Sequence, residues 1–171
     1  MSSSDFKIKL LKYNSSLRQK WLDGTLQREW YKDYPQLFDG DDFSIALNQK
    51  NNHFGEWYTA IHYFKKGWRV LIEHYAYSRE KTSPFYTIRE KKNEEVKRLL
   101  GREGFDFLRY LGGKKRQVRP PDLFIFNQKS KFFFAEVKWG QDKLRDYQKK
   151  LFRQIIKKFG VKIELVYVFP K

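Results

Sequence analysis

Two short apolar runs in the second half of the chain constrain its fold more than any other feature. They cover residues 123–126 and 132–137, and the polar residues 127–130 lie between them. Short runs that are rich in aromatic residues and bounded by polar turn residues are typical of an antiparallel β-hairpin. Since side chains on a strand alternate between its two faces, both faces of the second strand are largely apolar. This pattern predicts a sheet that is covered on both sides.

Three ionisable residues lie at the ends of these predicted strands. Asp122 opens the first strand, while Glu136 and Lys138 share one face of the second strand with Phe132 and Phe134. A hairpin brings Asp122 beside Glu136, and two carboxylates held close together repel each other. A hard divalent cation such as Mg²⁺ relieves that repulsion, because it prefers oxygen ligands. An acid inside an apolar run is costly to bury unless it is paired or bound to a metal.

A pocket of two carboxylates and one amine suits phosphodiester hydrolysis. A water bound to a divalent cation loses its proton more readily, and the ammonium of Lys138 can stabilise the hydroxide or the charge that develops on the phosphate. The alternative is that Asp122 merely begins a strand, and that Glu136 and Lys138 are an ordinary pair at the edge of a sheet.

The residues Pro121, Asp122, Glu136 and Lys138 resemble the signature of the PD-(D/E)xK nuclease superfamily, with Val137 as its variable residue. This resemblance implies an α/β fold with a restriction-endonuclease-like core, in which helices flank a mixed sheet. The element order predicted from periodicity, αβββαβ with a helical insertion before the hairpin, matches that core.

The helix predicted after the hairpin narrows the resemblance. It carries the pattern Asp142-x-Leu144-x-x-x-Gln148, and this pattern after Glu-Val-Lys is similar to the virus-type replication-repair nuclease (VRR-NUC) branch. The similarity covers mainly residues 121–152. It departs from the family at Trp139-Gly140, where Gly-Pro often follows the strand, so the loop over the site differs.

The resemblance implies a metal-dependent DNA endonuclease. Glu56 enters the site because an acidic residue on the first core helix joins the metal site in the family, although a glutamate in a first turn also complements the helix dipole. Glu73 is a runner-up ligand, and Lys138 would position or activate water, with Gln148 in support. The implied ligands of Mg²⁺ or Mn²⁺ are Asp122, Glu136, Val137 and Glu56.

The resemblance also implies a substrate and an assembly. Small stand-alone members of the family act as homodimers on branched DNA such as four-way junctions, while linear duplex, flap and RNA substrates remain open. Two alternatives stay open as well: a basic nucleic-acid-binding module that does not cut, and a sequence-specific enzyme of the restriction type.

Composition agrees with a nucleic-acid partner. The net charge of +16, the pI near 9.9 and the 19% aromatic content suit phosphates and bases, and an anionic membrane surface is the rival. Runs of charged residues often simply face solvent. The basic loop of residues 112–121, however, adjoins the predicted metal site, which favours a role in binding the phosphates of a substrate. The cations assigned to nucleic acid are Lys114, Lys115, Arg116, Arg119, Lys143 and Arg145.

Several classes of protein and site are disfavoured. No apolar run approaches the ~20 residues that span a bilayer, and the first residues lack the apolar stretch of a signal peptide, so we expect a soluble, cytoplasmic protein. The absence of cysteine excludes disulfides and thiolate sites. The histidines lack the partners of a zinc site and are interpreted as structural; they are His53, His62 and His74.

The chain length fits one domain with an N-terminal extension. Residues 1–50 are predicted to form a helical extension, with short helices near 17–22 and 26–34 and a turn at 40–42, and residues 51–171 form the core. The predicted core elements are a helix at 51–67 capped by Asn51 or Asn52, a strand at 68–77, a short strand at 85–88, a solvated helix at 89–100, a helical segment at 105–111, the hairpin, a helix at 142–159 and a strand at 161–169.

Overall fold

The computed structural model describes residues 5–76, 84–111 and 119–171. Its strands are β1 (Phe6–Tyr13), β2 (Arg69–Ile72), β3 (Leu123–Phe126), β4 (Phe132–Trp139) and β5 (Ile163–Pro170). Its helices are α1 (Ser15–Leu22), α2 (Thr25–Asp33), α3 (Gly40–Asn48), α4 (Phe54–Phe64), α5 (Tyr86–Arg109) and α6 (Asp146–Phe159). The strands form one mixed sheet in the order β1-β5-β4-β3-β2.

The predicted hairpin and the two covered faces of the sheet are confirmed. Strands β3 and β4 pair antiparallel with Leu123 opposite Ala135, and β4 and β5 pair parallel. One face, which includes Leu123 and Ala135, packs against α4 and the N-terminal helices. The other face, which includes Phe124 and Phe134, packs against α5 and α6. This is the α/β architecture expected of a restriction-endonuclease-like core.

Helix α4 approaches the sheet very closely at Gly55. A β-carbon built there would lie 3.1 Å from Cγ1 of Val137 on β4, which is tighter than ordinary van der Waals contact. Glu56 follows directly in the first turn of α4. The contact between Gly55 and Val137 therefore brings Glu56 to the end of the sheet where β4 leaves the core.

The N-terminal region contains a strand that the sequence analysis did not predict. Strand β1 pairs parallel with β5 along its whole length and adds an edge to the sheet. The helices predicted near residues 17–22 and 26–34 are confirmed as α1 and α2, but the predicted turn at residues 40–42 is wrong. These residues begin α3, because Asp39 and Asp42 form a capping box there. The domain boundary at residue 50 stays a prediction.

Strand β2 is much shorter than predicted. It ends at Ile72, and the next two residues turn the chain with positive φ angles, 43° at Glu73 and 40° at His74. The ammonium of Lys92 donates a hydrogen bond to the carbonyl oxygen of Ile72 at 2.8 Å. The carbonyl oxygen of the last residue of β2 is therefore hydrogen-bonded to the buried ammonium of Lys92.

Helix α5 corrects two predictions. The segment predicted as a short strand at residues 85–88 lies at the start of the helix instead, since α5 begins at Tyr86. The helix is not simply solvated, because Lys92, Asn93 and Val96 are buried. It continues beyond residue 100 through a kink at Gly101, whose φ of 71° and ψ of 169° are not helical.

Two helix starts differ from their predictions. Helix α4 begins at Phe54 after His53, which has a left-handed backbone (φ 68°) and no side-chain cap, so neither Asn51 nor Asn52 caps it. Helix α6 begins at Asp146 rather than Asp142. Among the described residues, we find no helix with the length and apolarity needed to cross a bilayer.

Candidate active site

Asp122 and Glu136 lie side by side where β3 begins and β4 nears its end. The backbone N–H of Val137 donates to Oδ2 of Asp122 at 2.8 Å, and the N–H of Asp122 donates to Oε2 of Glu136 at 3.3 Å. Just before this point, the hydroxyl of Tyr75 donates to the carbonyl oxygen of Pro121. The structure thus brings together the two acids that the hairpin predicted as neighbours, and Val137 contributes its backbone N–H to Asp122.

Lys138 and Gln148 both contact Glu136. The ammonium of Lys138 lies 2.8 Å from Oε1 of Glu136 and 3.5 Å from Oδ2 of Asp142. The amide of Gln148, from the first turn of α6, donates to Oε1 of Glu136 at 3.1 Å and accepts from the N–H of Arg145 at 3.1 Å. Gln148 therefore supports the site through a direct hydrogen bond to the carboxylate of Glu136.

A second group of possible ligands lies beside Asp122. His53 precedes α4, Glu56 lies in its first turn, and Glu73 follows β2. One ligand atom from each lies within 4.8 Å of the others. The closest pair joins Nδ1 of His53 to Oε1 of Glu73 at 2.6 Å. The backbone N–H of Glu73 donates to the carbonyl oxygen of Asp122 at 3.0 Å, so both groups lie at the same end of the sheet.

The pKa shifts show that the two groups share one electrostatic site. Burial raises the pKa of Glu56 to about 7, and the negative charges of Glu73 and Glu136 add to the shift. Burial also raises the pKa of Asp122 well above its usual range, with further contributions from Glu136, Glu56 and Glu73. Burial raises the pKa of Glu136 in spite of the opposing charge of Lys138. These carboxylates therefore repel one another and resist ionisation.

The carboxylates of the site shift the two basic groups toward their charged forms. Burial lowers the pKa of Lys138, but Glu136 outweighs this effect, and the pKa of Lys138 lies above its usual value. Burial likewise lowers the pKa of His53, but its hydrogen bond to Glu73 and the charge of that residue raise it overall. Lys138 therefore supplies a positive charge beside Glu136, and Glu73 shifts His53 toward its charged form.

The donor set fits a divalent cation. Mutual repulsion and burial raise the pKa values of Asp122 and Glu56, and an ion such as Mg²⁺ or Mn²⁺ would favour their ionised forms and relieve the repulsion. Carboxylate oxygens are the ligands that these ions prefer, and an imidazole nitrogen suits the transition metals better than Mg²⁺. The residues in position to hold such an ion are Asp122, Glu136, Glu56, Glu73 and His53.

The cations predicted to bind nucleic acid fall into two sets. Lys114, Lys115 and Arg116 lie outside the described residues. Arg119 is exposed, and its charge acts on His53, while Lys143 and Arg145 are exposed in the segment between β4 and α6. The described cations of this prediction therefore surround the carboxylate site without entering it.

Sequence reasoning missed one candidate residue of the site. His53 was interpreted as structural, because a search for zinc-site spacing looks for pairs of histidines and cysteines. The sequence position of His53 could have indicated its role, because it lies three residues before Glu56 at the start of a helix. Both side chains therefore lie at one end of α4. Glu73 was identified only as a runner-up, since the predicted strand gave no sign of the turn at that residue.

The family model for the VRR-NUC domain matches residues 68–170, which is more than half of the chain. The matched stretch contains β2, the hairpin with Asp122, Glu136 and Lys138, and α6 with Gln148. A search among curated protein sequences finds no match to the chain.

Proposed function

The chain belongs to the VRR-NUC domain family, and on that premise we propose that it is a DNA endonuclease that depends on Mg²⁺ or Mn²⁺ and acts on branched DNA. A domain of this family indicates a nuclease-type function with a nucleic-acid substrate. One observation carries the finer proposal: Asp122, Glu136, Glu56 and Glu73 act on one another electrostatically in a buried site, and Lys138 lies 2.8 Å from Glu136.

Each side chain has a role that follows from its contacts. Asp122, Glu136 and Glu56 would hold the cation, which, when bound, supplies a Lewis acid beside the scissile phosphate. Lys138 keeps its proton and presents it where negative charge develops on the phosphate. Gln148 holds the carboxylate of Glu136 in one orientation through its hydrogen bond.

Affinity for DNA would come from contacts with the phosphate backbone. The net charge of +16 attracts any polyanion, and Arg119, Lys143 and Arg145 are exposed beside the carboxylates. Lysine and arginine contacts with phosphates fix position without reading sequence. This favours an enzyme that recognises the shape of its substrate rather than a base sequence.

The branched substrate and the homodimer rest on the family resemblance. A two-fold dimer has two identical sites related by its axis, and a four-way junction offers two equivalent strands to such a pair. Sedimentation at several protein concentrations tests the assembly directly, and a monomer at all of them would contradict the dimer.

A panel of labelled substrates tests the activity. The panel contains duplex, flap, four-way junction, single-stranded DNA and RNA of related sequence, each incubated with Mg²⁺, with Mn²⁺ or with a chelator. We expect cutting only with a divalent ion, and most efficiently on branched DNA. Asp122→Asn should abolish cutting and preserve binding, whereas Asp33→Asn, at an exposed position on α2, should change neither.

The same panel separates the alternatives. Binding without cutting under every condition would contradict the enzyme and leave a basic binding module. Discrete fragments from plasmid DNA would contradict a preference for branches and indicate an enzyme of the restriction type.

A further inference from the structure

A groove of about 660 Å³ opens next to the candidate active site. The segment that links β4 to α6 forms one end of it, α6 forms one side, and the start of β1 and the middle of β5 form the floor. The apolar residues of the floor are Phe6, Leu165 and Tyr167, and the cations of the rim are Lys143, Lys149 and Arg153. Apart from Lys143, these residues belong to no site described so far.

The cations of the rim are free to exchange partners. Lys149 lies 3.1 Å from Asp146, a side chain that is 99% exposed, and Arg153 lies 3.2 Å from Asp5. Solvated pairs of this kind contribute little, so an anion can replace the carboxylate at small cost. The guanidinium of Arg153 also lies 6.0 Å from the ring of Phe6, which places positive charge directly beside the apolar floor.

The apolar floor extends along β1 into solvent. Ile8 is 57% exposed and Leu10 is 63% exposed. Their partners on β5 are Leu165 and Tyr167, so on alternating strands the exposed side chains lie on the same face as the floor of the groove. A contiguous apolar surface next to a row of cations marks a binding surface rather than an accidental exposure.

The groove is continuous with the carboxylate site. Asp142 lines it, and the carboxylate of Asp142 lies 3.5 Å from the ammonium of Lys138. A chain molecule in the groove would therefore pass beside Asp142, which contacts Lys138. This geometry links whatever binds the groove to the reaction at Asp122 and Glu136.

We propose that the groove binds an unpaired strand of the nucleic-acid substrate, with its bases on the apolar floor and its phosphates on the rim. Grooves that hold single strands combine a row of cations with aromatic side chains on which bases stack. A duplex hides its bases and would leave the floor unused. A second copy of the chain would bring the same positive rim to the surface, and like charges disfavour that pairing.

The inference rests on the proposed function, which supplies nucleic acid as the class of substrate. It adds a preference for one kind of branched DNA over another. Among branched DNAs, those with a single-stranded arm, such as a flap, should bind more tightly than a fully paired four-way junction. The tests below measure binding in a chelator without divalent ions, so a failure to cut DNA would overturn the proposed function and leave the groove still testable.

The first test compares two neighbouring lysines. Fluorescence anisotropy measures the affinity for a labelled single strand of about 12 nucleotides, within the site sizes of known single-strand grooves, and for the corresponding duplex. Lys149→Ala should weaken single-strand binding, and its plot of log affinity against log salt should be shallower by about 0.7, the contribution of one phosphate contact on a single strand. Lys150→Ala, at an exposed position outside the lining, should leave the slope unchanged.

The second test removes the aromatic floor. Tyr167→Ala should lower single-strand affinity about tenfold, the loss of one base stack, and should lower duplex affinity much less. Tyr110→Ala, a tyrosine that is 52% exposed and outside the groove, should change neither. A thermal unfolding curve for each variant checks that it is folded. If Tyr167→Ala does not fold, Lys149→Ala still tests the proposal.

Three results would overturn the proposal. Equal losses from Lys149→Ala and Lys150→Ala would show general electrostatic attraction only. An unchanged affinity in Tyr167→Ala would remove the stacking floor. A change in sedimentation in Tyr167→Ala without a change in anisotropy would assign the surface to a second copy of the chain.

Discussion

Replacement of Lys92 by methionine should destabilise the protein severely, although the sequence places Lys92 in a run of charged residues. Its ammonium lies 2.7 Å from Oδ1 of Asp42 and 3.4 Å from Oδ2 of Asp39, and it donates to the carbonyl oxygen of Ile72 at 2.8 Å. The side chains of Lys92 and Asp42 are 7% and 2% exposed. Methionine has a similar length but no charge, so Asp42, whose pKa burial already raises to about 7, loses the cation that opposes this shift.

The expected loss follows from these contacts. Breaking a buried ion pair by removing one partner costs about 3–5 kcal/mol, because the other charge remains uncompensated. For a chain of this size each kcal/mol lowers Tm by about 2–4 °C, so Tm should fall by about 6–20 °C. The turn that carries Glu73 should loosen as well, since Lys92 no longer holds the last carbonyl of β2.

Thermal and urea unfolding, followed by circular dichroism, measure the effect. Lys91→Met is the matched control, because Lys91 is the adjacent residue on α5 and is exposed; it should change stability by less than about 0.5 kcal/mol. The double variant Lys92→Met with Asp42→Asn should recover much of the loss, since the amide carries no charge. If Lys92→Met were as stable as Lys91→Met, the assignment of Lys92 as a structural cation would be wrong.

Three further predictions concern the carboxylate site. Burial raises the pKa of Glu56 from 4.5 to about 7, so between these pH values the metal-free folded state holds a proton that the unfolded chain has lost. The resulting stabilisation is complete below about pH 4.5 and is lost as the pH rises through about 7. Tm without metal should therefore fall over this range, and Mg²⁺ should raise Tm more at about pH 8 than at about pH 6. Lys138→Met should slow cutting by about 10²–10³ and leave DNA binding in a chelator unchanged, as gel shifts would show. Gln148→Leu should slow cutting about 10–100-fold, because a hydrogen bond to a charged group contributes about 1.5–3 kcal/mol.

Each of these predictions has its own control. Glu56→Gln should reduce the fall of Tm with pH, and an undiminished fall would mean that other groups cause it. Lys150→Met is the control for Lys138→Met, since Lys150 is exposed on α6 and does not line the groove; equal losses of cutting in the two variants would contradict a special role for Lys138. Gln154→Leu, at an exposed position on the same helix, serves in the same way for Gln148, and normal cutting by Gln148→Leu would exclude that residue from the site.

Local patterns predicted the centre of this fold well. The alternation of side chains along residues 132–139 places Phe134 on one face and Ala135 on the other, as the two cores confirm. The same alternation predicted that Glu136 and Lys138 emerge together, and the antiparallel hairpin brought Asp122 beside them. Hydrophobic periodicity works here because both partners of the hairpin lie close together in the chain.

The features that were missed depend on partners far away in the sequence. Strand β1 is a strand of the sheet because it pairs with β5, more than a hundred residues later, and no local pattern reveals such a partner. Lys92 resembles its solvated neighbours in sequence. Its distinct role comes from its contacts with residues far away in the chain, among them Asp42 and Ile72. His53 likewise gains its place in the site from Glu73 rather than from its neighbours on α4.

The narrow gap at Gly55 makes the spacing of the site a property of the sheet. Because no side chain separates α4 from Val137, the helix rests on the strand that bears Glu136, and Glu56 travels with that strand whenever the sheet flexes. A large side chain at position 55 would push this end of α4 away from β4 and carry Glu56 away from Asp122, with every acid still present. The distance between Glu56 and the other possible metal ligands thus depends on Gly55, a residue that contributes no ligand atom.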